Sequence, residues 1–138
     1  MQYGAALLAA PIFCLLYREI FGHQTEDLFW LLNDGRSLFF LIFFYPIIEE
    51  LAFRGLMQEY LEEKTKQRKL IASLSIANLL TSILFALMHF VHHTPLWAAL
   101  TFFPSLVFGY FKERYSGIMP SIMLHIFYNL CYFSLIGN

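Results

Sequence analysis

Glu49, Glu50 and Arg54 stand in one of the most apolar parts of the chain, in the stretch IIEELAFRG at residues 47–55. Burying a charge is costly unless the charge is paired, so these side chains need an explanation. Glu50 and Arg54 are four residues apart with the acid first, which is the favourable order for an ion pair along a helix. Glu49 lies about 100° around the helix from Glu50 and cannot share the arginine equally. Glu49 is therefore the carboxylate that is available for chemistry.

Two histidines and an asparagine on later apolar segments could complete a site with Glu49. His125 and Asn129 are four residues apart, so on a helix their side chains point the same way, one turn from each other. His89 follows Phe85 at the same spacing. Each residue alone can be explained by helix packing, but the group as a whole is harder to explain in that way. We interpret the group as one functional site.

Pro46 precedes Glu49 by about one helical turn. A proline inside a helix removes the hydrogen bond to the carbonyl four residues earlier, here that of Ile42. The resulting bend is either an ordinary helix kink or a device that sets the direction of the Glu49 side chain.

The composition predicts that most of the chain lies in lipid. Of 138 residues, 59% are hydrophobic and only 14% are charged, against about 25% charged residues in a soluble domain. Five apolar segments alternate with polar loops, at about 3–16, 37–57, 70–91, 96–111 and 118–136. A spanning helix needs about 20 residues, so the second, third and fifth segments are long enough and the first and fourth are short. We predict an all-α, polytopic transmembrane bundle of about five helices, a single domain over residues 1–138 with its core at about 37–136.

The basic residues predict the orientation of this bundle. If the helices alternate, six basic residues lie on the side of the N-terminus and two on the other side. The six are Lys64, Lys66, Arg68, Lys69, Lys112 and Arg114, and the two are Arg18 and Arg36. Since lysine and arginine are in excess on the cytoplasmic side of membrane proteins, we predict a cytoplasmic N-terminus and an external C-terminus.

Cysteines, short segments and charge distribution limit the possible functions further. Cys14 and Cys131 lie in apolar segments without zinc-type spacing, which predicts free thiols in the membrane. The first segment has no positively charged residue before it, so we predict a retained helix and not a cleaved signal peptide. Residues 27–32 are too few to span a bilayer and are predicted to lie in the outer interface. The chain has no basic stripe with interleaved aromatic residues, which argues against a nucleic-acid partner.

Three motifs occur in order on the predicted second, third and fifth helices: EELAFR at 49–54, FALMH at 85–89 and HIFYN at 125–129. They resemble the motifs E-E-x-x-x-R, F-x-x-x-H and H-x-x-x-N of the CPBP family. This family comprises CAAX prenyl proteases of the Rce1 type and bacterial Abi or bacteriocin-processing relatives. The resemblance extends from about Pro46 to Asn129.

The resemblance implies a glutamate-dependent intramembrane endopeptidase without a cofactor, integral to the inner membrane of a bacterium. Glu49 would activate a water molecule with the help of His89, and His125 and Asn129 would form the oxyanion hole. Glu50 and Arg54 would be a structural, orienting pair.

The substrate implied by the resemblance is a membrane-anchored peptide or protein with a CAAX-like tail, a C-terminal sorting signal or a peptide precursor. The chain has about five predicted helices where CAAX proteases have more, which makes a prenylated substrate less favoured than the other two.

Other functions are open at this point. Glu49, His89 and His125 could form a His₂Glu zinc site with an open fourth position, although the chain has no His-Glu-x-x-His helix. The same residues could belong to a non-catalytic peptide-binding or immunity protein. A proton-coupled carrier is less favoured, because the sequence shows no inverted repeat and no pair of broken helices.

Overall fold

The computed structural model describes residues 2–21, 33–71 and 73–136. Helix makes up 83% of the described residues, which confirms the all-α class. The predicted interfacial segment at 27–32 lies outside the described residues.

The described elements comprise two short strands and six helices. The first helix, α1, is Gln2–Phe21, and α2 consists of the consecutive segments Gly35–Ser37, Leu38–Phe44, Tyr45–Glu50, Leu51–Gln58 and Glu59–Lys64. Strands β1 and β2 are Lys69–Ile71 and Leu74–Ser75, and they are followed by α3 at Ile76–His89, α4 at Pro95–Leu100, α5 at Phe102–Tyr115 and α6 at Met119–Leu135.

The prediction of a spanning third segment at 70–91 was wrong at its start. The strands Lys69–Ile71 and Leu74–Ser75 pair antiparallel, with Lys69 opposite Ser75 and Ile71 opposite Leu74. The Ser75 side chain then caps α3, because its Oγ accepts a hydrogen bond of 2.9 Å from the Asn78 N–H, and such a cap favours a helix start. The remaining 14 residues of α3 are about 21 Å long, less than the ~30 Å of a hydrocarbon core.

Within the described ranges, one helix, Gln2–Phe21, is long and apolar enough to cross a membrane. The sequence had favoured the second, third and fifth segments as long enough and the first as short. The first helix continues beyond the apolar run at 3–16, through Tyr17, Arg18 and Glu19, and ends at Phe21. The polytopic arrangement is therefore not confirmed by helix length.

The widened turns of α2 set it apart from the other helices. Leu38–Phe44 and Leu51–Gln58 are π-helical, and such turns often occur where a helix is bent or carries a functional site. The first π segment ends at Phe44, two residues before Pro46, and the Tyr45 N–H that follows it donates to the Phe40 carbonyl five residues earlier. The second π segment carries Arg54, whereas Glu49 and Glu50 lie in the α-helical turn between the two π segments.

The chain divides into two compact units, residues 1–48 with 123–138 and residues 49–122. In the first unit, Ala6, Ala10 and Cys14 form the buried face of α1. The Tyr128 hydroxyl of α6 donates a hydrogen bond of 2.8 Å to the Ala6 carbonyl of that face. Both cysteines are free, as predicted, with Cys14 buried and Cys131 half-buried. The boundary between the units falls within α2 and within α6, and the single domain over 1–138 stays a prediction.

The second unit has a polar interior and an apolar exterior. Seven polar residues described in this unit are 0% exposed, namely Glu50, Arg54, Gln58, Thr81, Ser82, Ser105 and Ser121. Large apolar side chains face outwards instead, among them Leu56 at 73%, Val91 at 71% and Phe103 at 62% exposed. A soluble domain has the opposite distribution. Helices in membranes associate through small and polar residues and turn their large apolar side chains to lipid, which is the distribution seen here.

Candidate active site

The centre of the second unit is the ion pair of Glu50 and Arg54, which the spacing predicted. Arg54 Nη1 lies 3.2 Å from Glu50 Oε1, and both side chains are 0% exposed. Arg54 Nη2 also donates to the Ser105 carbonyl at 2.8 Å and to the Ser105 hydroxyl at 2.6 Å. A buried ion pair is tolerated when further hydrogen bonds satisfy the charges, and Ser105 supplies two of them. The pair therefore attaches α2 to α5.

Two aromatic rings complete the surroundings of the guanidinium. The Arg54 carbon Cζ lies 4.9 Å from the ring centroid of Phe85 and 5.6 Å from that of Phe108. Both distances are within the range of cation–π attraction. The cation is thus held by a carboxylate, a serine and two rings, which fixes its position.

Glu49 and Glu50 differ in exposure although they are neighbours. Glu50 is sealed in the interior, whereas Glu49 is half-buried. A carboxylate that is to act on a substrate must be reachable, and a carboxylate that orients an arginine need not be. The two exposures agree with the division of roles that the sequence predicted.

His89 is the last residue of α3, and its ring orientation is defined by a hydrogen bond to its own helix. Nδ1 lies 2.8 Å from the Phe85 carbonyl oxygen. A carbonyl oxygen only accepts, so Nδ1 carries the hydrogen and the lone pair of the neutral ring is on Nε2. A histidine whose tautomer is set in this way can accept a hydrogen bond or a proton at Nε2.

Phe85 connects His89 with Arg54. Its ring centroid is 4.5 Å from that of His89 and 5.1 Å from that of Phe53, edge to face. The Arg54 guanidinium lies over the same ring. This explains why phenylalanine precedes the histidine by four residues: the ring packs both motif side chains against one surface.

The other two predicted site residues belong to the first unit. His125 is buried at 5% exposed and Asn129 is half-buried, both on α6. Asn129 Nδ2 donates a hydrogen bond of 2.9 Å to the Leu41 carbonyl of α2. The carboxamide is therefore engaged with the main chain of the π segment.

The structure also contains site residues that the motifs did not indicate. Gln58 continues the buried face of α2 by one turn, and its Nε2 donates to the Gly109 carbonyl at 3.2 Å and to Glu113 Oε1 at 2.8 Å. Ser75 donates to the same Glu113 oxygen. The signal was present in the sequence as polar residues spaced by four, at positions 50, 54, 58 and 62.

A second ion pair ends this polar series. Lys112 Nζ donates to both carboxylate oxygens of Glu62 at 2.9 Å, with side-chain exposures of 6% and 19%. A cleft of about 870 Å³ borders the pair and is lined mainly by charged and polar side chains, including Glu59 and Lys69. This end of the second unit is thus accessible to water, unlike the Glu50–Arg54 end.

Metal binding gains no support from the arrangement of ligands. In residues 2–21, 33–71 and 73–136, no three or more histidine, cysteine, aspartate or glutamate side chains come together as a metal site. The zinc alternative with Glu49, His89 and His125 is left to experiment.

Paired charges enclosed within an apolar exterior are typical of a membrane protein. The family model for type II CAAX prenyl endopeptidases, Rce1-like, matches residues 32–131, which include all three motifs. The chain belongs to this Rce1-like family, and the resemblance noted from the motifs is confirmed. The family is one of membrane-embedded proteases. No curated protein and no solved structure matches the chain.

Proposed function

We propose that the protein is an intramembrane endopeptidase that hydrolyses a peptide bond with a water molecule activated by Glu49 and His89. The observation that carries the proposal is the contrast between two adjacent carboxylates in a chain of a protease family. Glu50 is consumed by its buried pair with Arg54, whereas Glu49 is half-buried.

Glu49 is the general base of the proposed reaction. Its carboxylate takes a proton from water as the water oxygen attacks the carbonyl carbon of the scissile bond, and it returns that proton to the leaving amine. His89 Nε2 accepts a hydrogen bond from the same water and orients it. A well-placed general base accelerates a reaction about 10²–10⁴-fold.

His125 and Asn129 are the proposed donors to the oxyanion that forms on the attacked carbonyl. Their four-residue spacing on α6 directs both side chains to the same side of that helix. Donors already in place in a site of low dielectric stabilise a developing negative charge, and removal of one costs about 10²–10³-fold in rate. The family's H-x-x-x-N motif supports this assignment.

The proposed substrate is a membrane-anchored peptide or protein, processed at a CAAX-like tail, a C-terminal sorting signal or a peptide precursor. The enzyme acts without a cofactor and without a nucleic-acid partner. We place it in the bacterial inner membrane as a bundle of about five helices, with the N-terminus cytoplasmic and the C-terminus external. The apolar exterior of the second unit supports contact with the lipid bilayer.

The test compares wild type with Glu49→Gln on a pool of membrane-anchored peptides, in detergent or nanodiscs, with products read by mass spectrometry. Wild type is expected to cleave, and Glu49→Gln is expected to lose at least about 10²-fold in rate while keeping its melting temperature. Tyr60→Phe, a change on the exposed surface of α2, is the control and should cleave like wild type.

Three results would replace the proposal. If EDTA or phenanthroline abolishes cleavage by wild type, the enzyme is a zinc protease using the same residues. If wild type and Glu49→Gln bind peptides equally and neither cleaves, the protein is a peptide-binding protein. If Glu49→Gln cleaves at the wild-type rate, another residue is the base.

A further inference from the structure

The hydrogen bond between Asn129 and Leu41 lies at the point where the main chain of α2 lacks a donor. Leu38–Phe44 is π-helical, and in this register each N–H bonds the carbonyl five residues earlier. The Tyr45 N–H accordingly donates to the Phe40 carbonyl. The next bond in the series would join residue 46 to the Leu41 carbonyl, and residue 46 is a proline without an N–H.

The π register therefore moves the missing bond by one residue. In a regular α-helix Pro46 would leave the Ile42 carbonyl without its donor, as the sequence predicted. In the π register the carbonyl affected is that of Leu41, and this is the carbonyl that Asn129 Nδ2 contacts at 2.9 Å. Main-chain carbonyls in apolar surroundings have to be satisfied, because an unmet one is strongly unfavourable.

We infer that Asn129 is a positioning residue that supplies to Leu41 the N–H that Pro46 lacks, and so holds the turn of α2 that precedes Glu49. The consequence for catalysis rests on the proposed function, since Glu49 follows Pro46 by three residues on the same helix. The carboxamide has two hydrogens on its nitrogen, so a bond to Leu41 leaves a second one for an oxyanion.

The inference makes the support that Asn129 gives to α2 dispensable when residue 46 has an N–H. The experiment is a cycle of four full-length proteins: wild type, Pro46→Ala, Asn129→Leu and the double variant. Alanine restores a main-chain donor, and leucine keeps the approximate shape of asparagine without a donor. The melting temperature and kcat are measured for each protein in the same detergent.

Asn129→Leu is expected to lower the melting temperature and to reduce kcat by more than about 10²-fold, because it removes an oxyanion donor and also displaces the turn that positions Glu49. In the Pro46→Ala background the same change should leave the melting temperature close to that of Pro46→Ala alone. It should also reduce kcat by a smaller factor than in wild type, because only the loss of the oxyanion donor remains. Tyr128→Phe is the matched control, because the Tyr128 hydroxyl also bonds a main-chain carbonyl, that of Ala6. Pro46→Ala should not correct its effect.

Two outcomes overturn the inference. Equal losses of melting temperature in both backgrounds would show that Asn129 does not replace the proline N–H. An equal factor of kcat loss in both backgrounds, with the melting temperature of the double variant recovered, would assign the whole catalytic loss to oxyanion stabilisation and not to positioning. If wild type cleaves no peptide, the proposed function fails, while the melting temperatures still decide whether Asn129 substitutes for the N–H of residue 46.

Discussion

The two ion pairs of the second unit have the same chemistry and opposite environments. Glu50 and Arg54 are completely enclosed, 3.2 Å apart on one helix, with Ser105 and two aromatic rings around the cation. Glu62 and Lys112 join two helices at 2.9 Å and border a water-accessible cleft. The same electrostatic attraction therefore operates in apolar surroundings in one case and near solvent in the other.

The difference between the pairs shows which one the fold depends on. Removing one partner of an enclosed pair leaves a charge that water cannot reach, so the loss is large. Removing one partner of a partly exposed pair leaves a charge that water can hydrate, so the loss is small. The enclosed pair is also the one next to Glu49, which places the rigid part of the unit beside the proposed base.

The largest effect is expected from Arg54→Met. The change leaves the Glu50 carboxylate buried without its cation, and we expect a loss of about 3–5 kcal/mol in the free energy of unfolding. Denaturant unfolding in detergent, followed by tryptophan fluorescence, measures it. Adding Glu50→Gln to this variant should recover part of the loss, since the buried charge is gone. A single variant as stable as wild type would show that the enclosed pair contributes little.

The next largest loss of stability is expected from Gly109→Ala, at the residue whose carbonyl accepts a hydrogen bond from Gln58. A Cβ atom at Gly109 would lie 2.0 Å from Asn78 Oδ1, so Gly109→Ala must displace a carboxamide that bonds Ser82 and the Leu106 carbonyl. We expect a loss of about 1–3 kcal/mol, measured by the same unfolding experiment.

Gly55→Ala is the matched control for this prediction. No atom lies within 4 Å of a Cβ built at Gly55, and alanine is favoured over glycine inside a helix by about 0.5–1 kcal/mol. The two substitutions should thus change the free energy of unfolding in opposite directions. Equal destabilisation by both would contradict the close approach of α3 and α5 at Gly109.

Lys112→Met tests the pair that borders the cleft. We expect a loss of about 1 kcal/mol, the upper limit for pairs that water reaches, because Glu62 lines the cleft and can be hydrated once the ammonium is removed. Raising the salt concentration should reduce the difference between the variant and wild type, since salt screens charges that water reaches. The corresponding difference for Arg54→Met should not depend on salt. If both differences respond to salt alike, the contrast between the two environments is wrong.

Asp34, at the start of α2, provides the fully exposed limit of the comparison and the smallest effect. A hydrogen bond from the Ser37 hydroxyl, with others from the Ser37 and Arg36 N–H groups, holds the pKa of the Asp34 carboxyl below its usual 3.8. A lowered pKa in the folded state means that the stabilisation is present above pH 3.8 and is lost as the pH falls further.

A small decrease of the melting temperature below about pH 4 should therefore be present in wild type and reduced in Asp34→Asn. The asparagine keeps an acceptor for the helix cap but does not titrate. Melting curves between pH 3 and pH 6 measure the difference, and identical pH profiles would show that Asp34 contributes nothing.

The sequence by itself determined the all-α class, the family and the Glu50–Arg54 pair. These depend on composition, on motif residues and on the four-residue spacing of charges along one helix, all of which are local properties of the chain. The exposure of Glu49 relative to Glu50 was also foreseeable, because neighbouring residues on a helix face different directions.

Only the tertiary structure decided which partners these residues meet. Ser105 is 51 residues from Arg54, and Gly109 is 51 residues from Gln58. No local pattern specifies such contacts. The start of α3 and the π turns of α2 depend on which hydrogen bonds the main chain forms. Groups distant in sequence take part in them, as the Asn129 carboxamide does when it donates to the Leu41 carbonyl, five residues before Pro46.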